Sequence, residues 1–304
     1  MWFVYTIATT LIWGLAELFY KKGADPNEKY AHLKTCVCVG GVMGVHAVFS
    51  LITCNMNYDP VNLLIYLPVS LLYVVSMAFS FFGMRFIEES ISDPIENISG
   101  AICSLLCFFI LGERLAKGSV IAIVVIVIGI LGIGFLENRG STDRKKKIGK
   151  KMAIVAFMMP FLYALLDAFG SFLDVYYLDS LETTPLVNVT EDTLELVANT
   201  TYELTFAICA LILYIFMRAK KVDFDLPHQG NKLAAAICET GGQFTYVYAM
   251  SGNGAAAAPI FSSVCVVALL LSRIFLKEKL DWKQYVFVFL TIAGVIALTV
   301  IEGE

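Results

Sequence analysis

Trp13 and Glu17, an aromatic residue and an acid, lie four residues apart in the otherwise apolar stretch 11–20. Residues at this spacing share one face of a helix, so the ring and the carboxylate would project together. A carboxylate inside the hydrocarbon of a membrane is costly and usually faces a cavity or a partner. The alternative is that Glu17 lies near the membrane surface and reaches water. The first interpretation makes this pair a candidate binding site.

A second pair of the same kind, Tyr163 and Asp167, follows 150 residues later. Trp13 aligns with Tyr163 and Glu17 with Asp167, so each half of the sequence offers a ring and an acid at the same spacing. Two such helix faces related by a pseudo-two-fold axis would meet at the centre of the protein. A chance match is the alternative, because the chain is rich in aromatic residues.

Glu239, Gln243 and Tyr246 form a third candidate group, because steps of four and three residues place them on one helix face. Gly241 and Gly242 within this group predict a locally weakened helix, as in the discontinuous helices of transporters. Glu239 could instead be an interfacial acid near the end of its helix.

Carboxylates and aromatic rings together suit an organic cation, because the electron-rich face of a ring attracts ammonium groups. No Lys or Arg lies deep within the candidate helices, so the acids could also bind and release protons. A group that binds either a proton or a cation would exchange one for the other. The sequence therefore predicts one substrate-binding set: Trp13, Glu17, Tyr163, Asp167, Glu239, Gln243 and Tyr246.

The sequence predicts no metal or cofactor site. Cys36 and Cys38 are separated by a single residue and have no cluster of histidines nearby, which does not fit the spacing of metal ligands. Most of the eight cysteines fall inside apolar runs, and we expect all of them to be small buried residues. Signatures of zinc proteases, serine hydrolases and paired-aspartate enzymes are absent, so we expect no catalytic residues and no enzyme activity.

The composition is that of a membrane protein. Of the 304 residues, 58% are hydrophobic and 16% are charged, against about 25% charged in soluble domains, and the mean hydropathy is +0.75. Residues 118–136 and 284–301 carry no charge, and about 20 apolar residues cross a bilayer as a helix. The sequence predicts an all-α membrane protein with ten transmembrane helices: 2–20, 34–54, 61–87, 91–112, 117–136, 152–178, 202–218, 232–251, 256–276 and 282–301.

Some polar and small residues within these helices need separate interpretation. Glu96 follows an Asp-Pro pair, the pattern of a helix start, so we expect a capping role rather than an intramembrane charge. His46, in the middle of the second helix, is interpreted as a packing residue, with a proton relay as the alternative. Gly40 and Gly44 in the same helix predict close contact with another helix.

Lys and Arg are concentrated in alternate connections, a pattern that marks the cytoplasmic side of a membrane protein. Of the 22 basic residues, all but Arg114 and Lys117 lie in the connections that follow the odd-numbered helices. The acidic connection 179–201, after the sixth helix, carries none. We therefore predict a multi-pass protein of the cell membrane with both termini on the extracytoplasmic side.

The second half of the chain repeats part of the first. Residues 94–137 align without a gap with residues 259–302, beginning with Pro94 on Pro259. Each repeat then holds five helices, and an odd number inserts the two copies in opposite orientations, an arrangement found in secondary transporters. The predicted units are a first five-helix repeat, 1–137, a basic linker, 138–151, and a second, inverted five-helix repeat, 152–304.

These features resemble the EamA-like branch of the drug/metabolite transporter superfamily over nearly the whole chain. The similarity is strongest in 92–136 and 256–301, where a proline-led helix, a Glu-basic-Leu turn and a glycine-bearing last helix recur. Ile12-Trp13-Gly14 also looks like the start of the family's first helix. The acidic C-terminus departs from the basic one that members commonly have.

The resemblance implies two five-helix halves around a central cavity lined by the first, third, fourth, sixth, eighth and ninth helices. It also implies transport of a small organic solute, often driven by protons. We expect a secondary active transporter that works by alternating access and exchanges a choline-like or other amine-bearing cation for protons. The alternatives are a proton-coupled exporter of neutral metabolites or amino acids and, as a less favoured reading, a channel. The expected partners are a small-molecule substrate, protons and the lipid bilayer, without nucleic acid; a homodimer is compatible with the sequence.

Overall fold

The computed structural model describes residues 1–24, 28, 30–84, 86, 92, 95–112, 115–140, 150–275 and 282–302. Every regular element in these ranges is helical. Long apolar runs favour helices in hydrocarbon, because a helix satisfies its own backbone hydrogen bonds. The main helices are α1 (Trp2–Gly23), α2 (Ala31–Thr53), α3 (Leu67–Gly83), α4 (Ser99–Leu106), α5 (Lys117–Gly140), α6 (Lys150–Leu178), α7 (Leu194–Ala219), α8 (Gly230–Phe261), α9 (Val264–Phe275) and α10 (Trp282–Glu302). Three short elements accompany them: a helical turn, Asn62–Ile65, a π-helical turn, Cys107–Leu111, and a 3₁₀ turn, Leu226–Gln229.

Five helices in the described ranges are long and apolar enough to cross a membrane: α1, α2, α6 from Ile154, α7 and α10. The helical segment from Leu226 through α8 passes the same test together with α9, as one span bent by 52°. Three further apolar helices, in α3, α4 and α5, are shorter than 18 residues within these ranges. The chain is therefore a multi-pass helical membrane protein, and the number of ten spans stays a prediction.

Two features of the helices differ from those expected. α7 begins at Leu194, well before the predicted start, and the polar residues Asn199, Thr200, Thr201 and Glu203 within it are buried rather than exposed. α8 is continuous at Gly241 and Gly242, so the weak point predicted there is wrong. Gly242 instead makes room for Trp13, whose ring would lie 2.3 Å from an added Cβ.

The irregularity in α8 lies at Asn253 instead. Its backbone is extended, with φ −165° and ψ 75°, between two helical stretches. Its side-chain Oδ1 accepts a hydrogen bond from the backbone N–H of Ala256 at 3.2 Å. The asparagine thereby caps the stretch that follows, as this residue type commonly does at helix starts.

The helices pack in pairs that connect the two halves of the chain. α1 packs along α8 as α3 packs along α6, and α1 contacts α9 as α6 contacts α4. α2 packs on α7, and α5 packs on α10. If each of the first five helices is exchanged with the helix five positions later, the contact of α1 with α8 becomes that of α6 with α3, and the contact of α1 with α9 becomes that of α6 with α4. The contacts of α2 with α7 and of α5 with α10 are unchanged by this exchange.

The contact between α5 and α10 is tight at Gly129 and Gly294. A Cβ added at Gly129 would lie 2.1 Å from Oγ1 of Thr291, and one added at Gly294 would lie 2.8 Å from Cγ1 of Ile126. Thr291 follows Ile126 by 165 residues, the same separation as between the two glycines. The two close approaches are therefore counterparts in the repeat alignment, and each excludes a larger residue.

The contact between α2 and α7 confirms the prediction for Gly40 and Gly44. A Cβ added at Gly40 would lie 2.3 Å from the backbone oxygen of Phe206, and one added at Gly44 would lie 2.7 Å from Cβ of Ala207. Small residues let the two helix backbones approach, which is how helices associate in a membrane.

All eight cysteines are free thiols. Four are buried, as expected: Cys38, Cys103, Cys107 and Cys265. The expectation is wrong for the other four, which are partly exposed: Cys36, Cys54, Cys209 and Cys238. An apolar sequence context does not imply burial in a membrane protein, because its outer surface is apolar as well.

Candidate substrate-binding site

A cavity lies between α1, α3, α4, α6, α8 and α9, the helices that the family resemblance implied, with one further residue, Tyr202, from α7. The cavity has a volume of about 110 Å³, several times the roughly 10–15 Å³ that one water molecule needs. Its lining residues run from Trp13 to Tyr20 on α1 and from Tyr163 to Ser171 on α6. The structure places all seven residues of the predicted set in its wall: Trp13, Glu17, Tyr163, Asp167, Glu239, Gln243 and Tyr246.

Trp13, Tyr246 and Phe261 form an aromatic wall of the cavity. The ring centroids lie 5.2 Å apart for Trp13 and Tyr246, 5.7 Å for Trp13 and Phe261, and 4.9 Å for Tyr246 and Phe261. The indole Nε1 of Trp13 donates a hydrogen bond to the backbone carbonyl of Glu239 at 3.3 Å. α8 therefore fixes the orientation of the indole ring at the cavity surface.

Four carboxylates line the cavity: Glu17, Glu96, Asp167 and Glu239. Glu239 accepts a hydrogen bond from the hydroxyl of Tyr20 at 3.3 Å. Among the described residues in the cavity wall there is no Lys, Arg or His. A concave surface lined by one sign of charge concentrates ligands of the other sign.

The side chain of Glu96 lines the cavity, so the expectation that it is not an intramembrane charge is wrong, whereas its capping role stays a prediction. Glu96 is 7% exposed and accepts hydrogen bonds from Ser80 at 2.7 Å and from Ser92 at 2.6 Å. The Asp-Pro pair on which the capping interpretation depends lies outside the described residues. The chain turns at Asn97 and Ile98 before α4 begins, and this turn directs the first residues of the segment toward the cavity.

A second turn of the same kind separates α8 from α9 at Ser262 and Ser263. It lies 165 residues after the turn at Asn97 and Ile98, so both occupy the same place in the repeat alignment. Asn97 and Ser262 both line the cavity. Polar residues at interruptions of apolar helices thus contribute to the same site from both halves of the chain.

Three tyrosines of the cavity wall escaped prediction: Tyr20, Tyr73 and Tyr202. Tyr20 lies three residues after Glu17 on the same helix face, so its spacing carried a usable signal. α3, which carries Tyr73, contains no acid, and Glu203, which follows Tyr202 in α7, pairs with His46 outside the cavity. The place of Tyr73 and Tyr202 in the wall depends on how α3 and α7 pack, which their own sequences do not reveal.

His46 lies outside the cavity and pairs with a buried acid. Its Nδ1 lies 2.8 and 2.7 Å from the two carboxylate oxygens of Glu203. Glu203 is 0% exposed in α7 and also accepts a hydrogen bond from Asn199 at 3.0 Å. The imidazole is therefore the polar partner that the acid in α7 requires, and the interpretation of His46 as a satisfied packing residue stays a prediction.

A multi-pass helical protein with an acidic, aromatic-walled cavity inside its bundle has the form of a solute carrier. The chain belongs to the EamA-like transporter family, whose model matches residues 1–135 and 182–300. The protein is thus a membrane transporter of small solutes, and the family points away from an enzyme.

A solved structure, described only as the crystal structure of a protein, has the same fold. Its TM-score is 0.70 at 12% identity, and the match covers 98% of this chain and 96% of that chain. At this identity the likeness concerns the fold alone. No curated protein matches the sequence.

Proposed function

We propose that this protein is a secondary active transporter that exchanges a small organic cation, a choline-like or other amine-bearing metabolite, for protons by alternating access. The main support is the composition of the cavity wall. Four carboxylates from α1, α6, α8 and the segment before α4 surround a space with an aromatic wall, and no described lining residue is basic. The seven predicted residues are proposed as its substrate-binding set.

Protons and cations would compete for these acids. Four carboxylates around one small cavity cannot all stay ionised, because like charges repel and burial penalises each charge. Some of them hold protons when no cation is bound. An entering ammonium group pairs with a carboxylate and releases a proton, so binding itself supplies the exchange.

The aromatic wall supplies selectivity for organic cations. An ammonium group over the face of Trp13 or Tyr246 gains up to about 2 kcal/mol when it is desolvated. A small hydrated metal ion gains less from the rings, since it keeps its water shell. The combination of rings and acids therefore favours quaternary and other amines.

The inverted repeat is part of the proposal. Two five-helix units, 1–137 and 152–304, joined by the linker 138–151, would rock against each other around the cavity. The paired helix contacts and the reciprocal approaches of Gly129 and Gly294 support a pseudo-two-fold relation between them. The distribution of basic residues supports placing both termini on the extracytoplasmic side of the cell membrane.

Ligand binding by the purified protein tests the substrate class. We expect thermal stabilisation by choline and other amines, and none by neutral amino acids or nucleosides at the same concentrations. In proteoliposomes, a proton gradient should then drive counter-movement of the amine with the largest effect. Gradient-driven movement of a neutral amino acid without amine binding would support the exporter instead, and single-channel currents would show a channel.

Glu17→Gln and Asp167→Asn are the decisive variants, because each removes a cavity charge and keeps the side-chain size. Loss of a hydrogen bond or ion pair to a charged group costs about 1.5–3 kcal/mol, so we expect exchange to fall about 10- to 100-fold. Glu182→Gln is the matched control, since Glu182 is exposed beyond the end of α6. Full activity of Glu17→Gln would refute the proposal.

A further inference from the structure

Asp174 is a buried acid just beyond one end of the cavity. It lies on α6 seven residues after Asp167, is 1% exposed, and is not part of the cavity wall. Ser171 lies between them on the same helix face and does line the cavity. The cavity function proposed above does not use Asp174.

Tyrosine hydroxyls surround its carboxylate. Tyr66 donates a hydrogen bond to Oδ1 of Asp174, and Tyr73 donates one to Oδ2 at 2.9 Å. The hydroxyl of Tyr73 also lies 2.6 Å from that of Tyr246 and 3.0 Å from Oγ of Ser171. Tyr73, Tyr246 and Ser171 line the cavity, so a continuous chain of hydroxyls joins the cavity wall to Asp174.

The same residues close the cavity toward the end of the bundle where α6 finishes. On α3 the cavity wall stops at Tyr73, and the next turns toward this end carry Ser70 and Tyr66, which are almost completely buried. Asn62, beyond them, exchanges two hydrogen bonds with the backbone of Val187, at 3.0 and 2.9 Å. α3, α6 and the segment after α6 thus form a seal.

The ionisable groups around Asp174 are hydroxyls, a thiol and another acid: Tyr66 just before α3, Tyr73 of α3, Cys103 of α4, Asp167 of α6, Tyr202 of α7 and Tyr246 of α8. Within the described ranges, no Lys, Arg or His makes a hydrogen bond or ion pair with it. A carboxylate charge sealed from water without a cation is costly, and the neutral acid is favoured.

The hydroxyl network satisfies the neutral acid completely. Protonated Asp174 donates from Oδ2 to Tyr73, and Tyr73 donates onward to Tyr246 or Ser171. Tyr66 continues to donate to the other oxygen, Oδ1. Asp174 and the hydroxyl groups bonded to it then all have hydrogen-bond partners, so a sealed cavity is compatible with a proton on Asp174.

We propose that Asp174 is the proton-binding latch of this end of the transporter: the seal holds while Asp174 carries a proton and opens as Asp174 gives that proton to water. The proposal rests on the alternating-access function above. Opening hydrates the carboxylate, and resealing removes water and requires the proton back. The O–H bond of the acid breaks, water accepts the proton, and no other bond changes. A difference of one bound proton shifts the ratio of open to sealed protein up to tenfold per pH unit.

Ser70 provides a reporter for opening that needs no substrate. It is 0% exposed, and its Oγ has no hydrogen-bond partner among the residues that the structure describes, so Ser70→Cys sacrifices no hydrogen bond. Maleimide labelling of this cysteine in nanodiscs, quantified by mass spectrometry of its peptide, leaves the native cysteines in place. The labelling rate of Ser70→Cys is divided by that of Thr190→Cys, on an exposed segment, and this ratio corrects for the pH dependence of thiol reactivity. We expect the ratio to rise about tenfold from about pH 5 to about pH 8.

Variants separate the latch from other causes. Asp174→Asn keeps the side-chain shape but has no proton to lose, so its ratio should stay low at every pH. Glu203→Gln, at a buried acid outside the seal, should keep the parent's pH dependence. Tyr66→Phe removes one hydrogen bond of the sealed state and should raise labelling at about pH 5 about tenfold. This variant also serves if Asp174→Asn does not fold.

A ratio that does not change with pH in the parent, or the parent's pH dependence retained in Asp174→Asn, overturns the latch even if amine exchange is observed. A latch that responds as expected in a protein that binds no amine would instead contradict the proposed substrate. The two failures are therefore distinguishable.

Discussion

The hydroxyl of Tyr20 donates a hydrogen bond to Oε2 of Glu239 at 3.3 Å, which joins α1 to α8 inside the cavity. A hydroxyl donor stabilises the charged form of a carboxylate, and the charged form is the one that binds a cation. In the proposed function, Tyr20 would therefore favour the form of Glu239 that binds a cation without contributing charge of its own.

Tyr20→Phe should weaken amine binding about tenfold or more, because a hydrogen bond to a charged group contributes about 1.5–3 kcal/mol. The dissociation constant of the amine identified by thermal stabilisation is the quantity to measure, by calorimetry. Tyr214→Phe, whose ring packs against Phe224 outside the cavity, is the matched control. Equal affinities in the two variants would contradict the role of Tyr20.

Much of the cavity could be predicted from the sequence because its residues obey helical spacing. Trp13 and Glu17, like Tyr163 and Asp167, are four residues apart, and a shared helix face is a local property. Their convergence from opposite halves of the chain followed from the repeat. Packing of the two halves was thus inferred from a symmetry visible in the sequence.

The residues that could not be predicted depend on packing between helices or on interruptions within them. The sequence around Glu96 predicts a helix start and no cavity charge, whereas the packing of the segment before α4 brings its side chain into the cavity wall. Glu203 follows a run of polar residues typical of a connection, yet it is buried opposite His46. Glycines mislead similarly, since Gly242 serves close packing where a helix break was predicted.

Gly40 and Gly41 offer a test of close helix packing at adjacent positions. A Cβ at Gly40 would lie 2.3 Å from the backbone oxygen of Phe206, whereas one at Gly41 would have nothing within 4 Å. Gly40→Ala should force α2 away from α7 and destabilise the protein by about 1–3 kcal/mol. Gly41→Ala should leave stability unchanged or raise it by up to about 1 kcal/mol, through helix propensity. Thermal unfolding in detergent compares the two, and similar effects would show that the contact is not tight.

Glu28 lies at the end of the bundle where α8 begins, and its ionised form should stabilise the folded protein, so that this contribution is lost in acid. Its carboxylate oxygens lie 2.5 Å from Nζ of Lys34 and 3.0 Å from Nζ of Lys232. Partial burial acts to raise the pKa of Glu28, but the hydrogen bonds from the two lysines outweigh it and lower the pKa below its ordinary value.

A carboxyl group with a lowered pKa in the folded protein stabilises it above the ordinary value, about pH 4.3, and loses that contribution as the pH falls through the lowered one. Glu28→Gln should therefore lower the unfolding temperature at neutral pH and approach the parent in acid. Glu191→Gln, at an exposed acid, is the control. A difference that persists undiminished at about pH 3 would show that the contribution of Glu28 is not electrostatic.

The pair of His46 and Glu203 should be more costly to break than to replace. Removing one partner of a buried ion pair leaves the other without compensation and costs about 3–5 kcal/mol, whereas two apolar residues of similar volume are often nearly neutral. We expect His46→Leu alone to be strongly destabilising, and the double variant His46→Leu with Glu203→Leu to recover most of that loss. Unfolding free energies of the two single variants and the double variant form a complete cycle. If the double variant is as unstable as the sum of the single ones, the two side chains do not depend on each other.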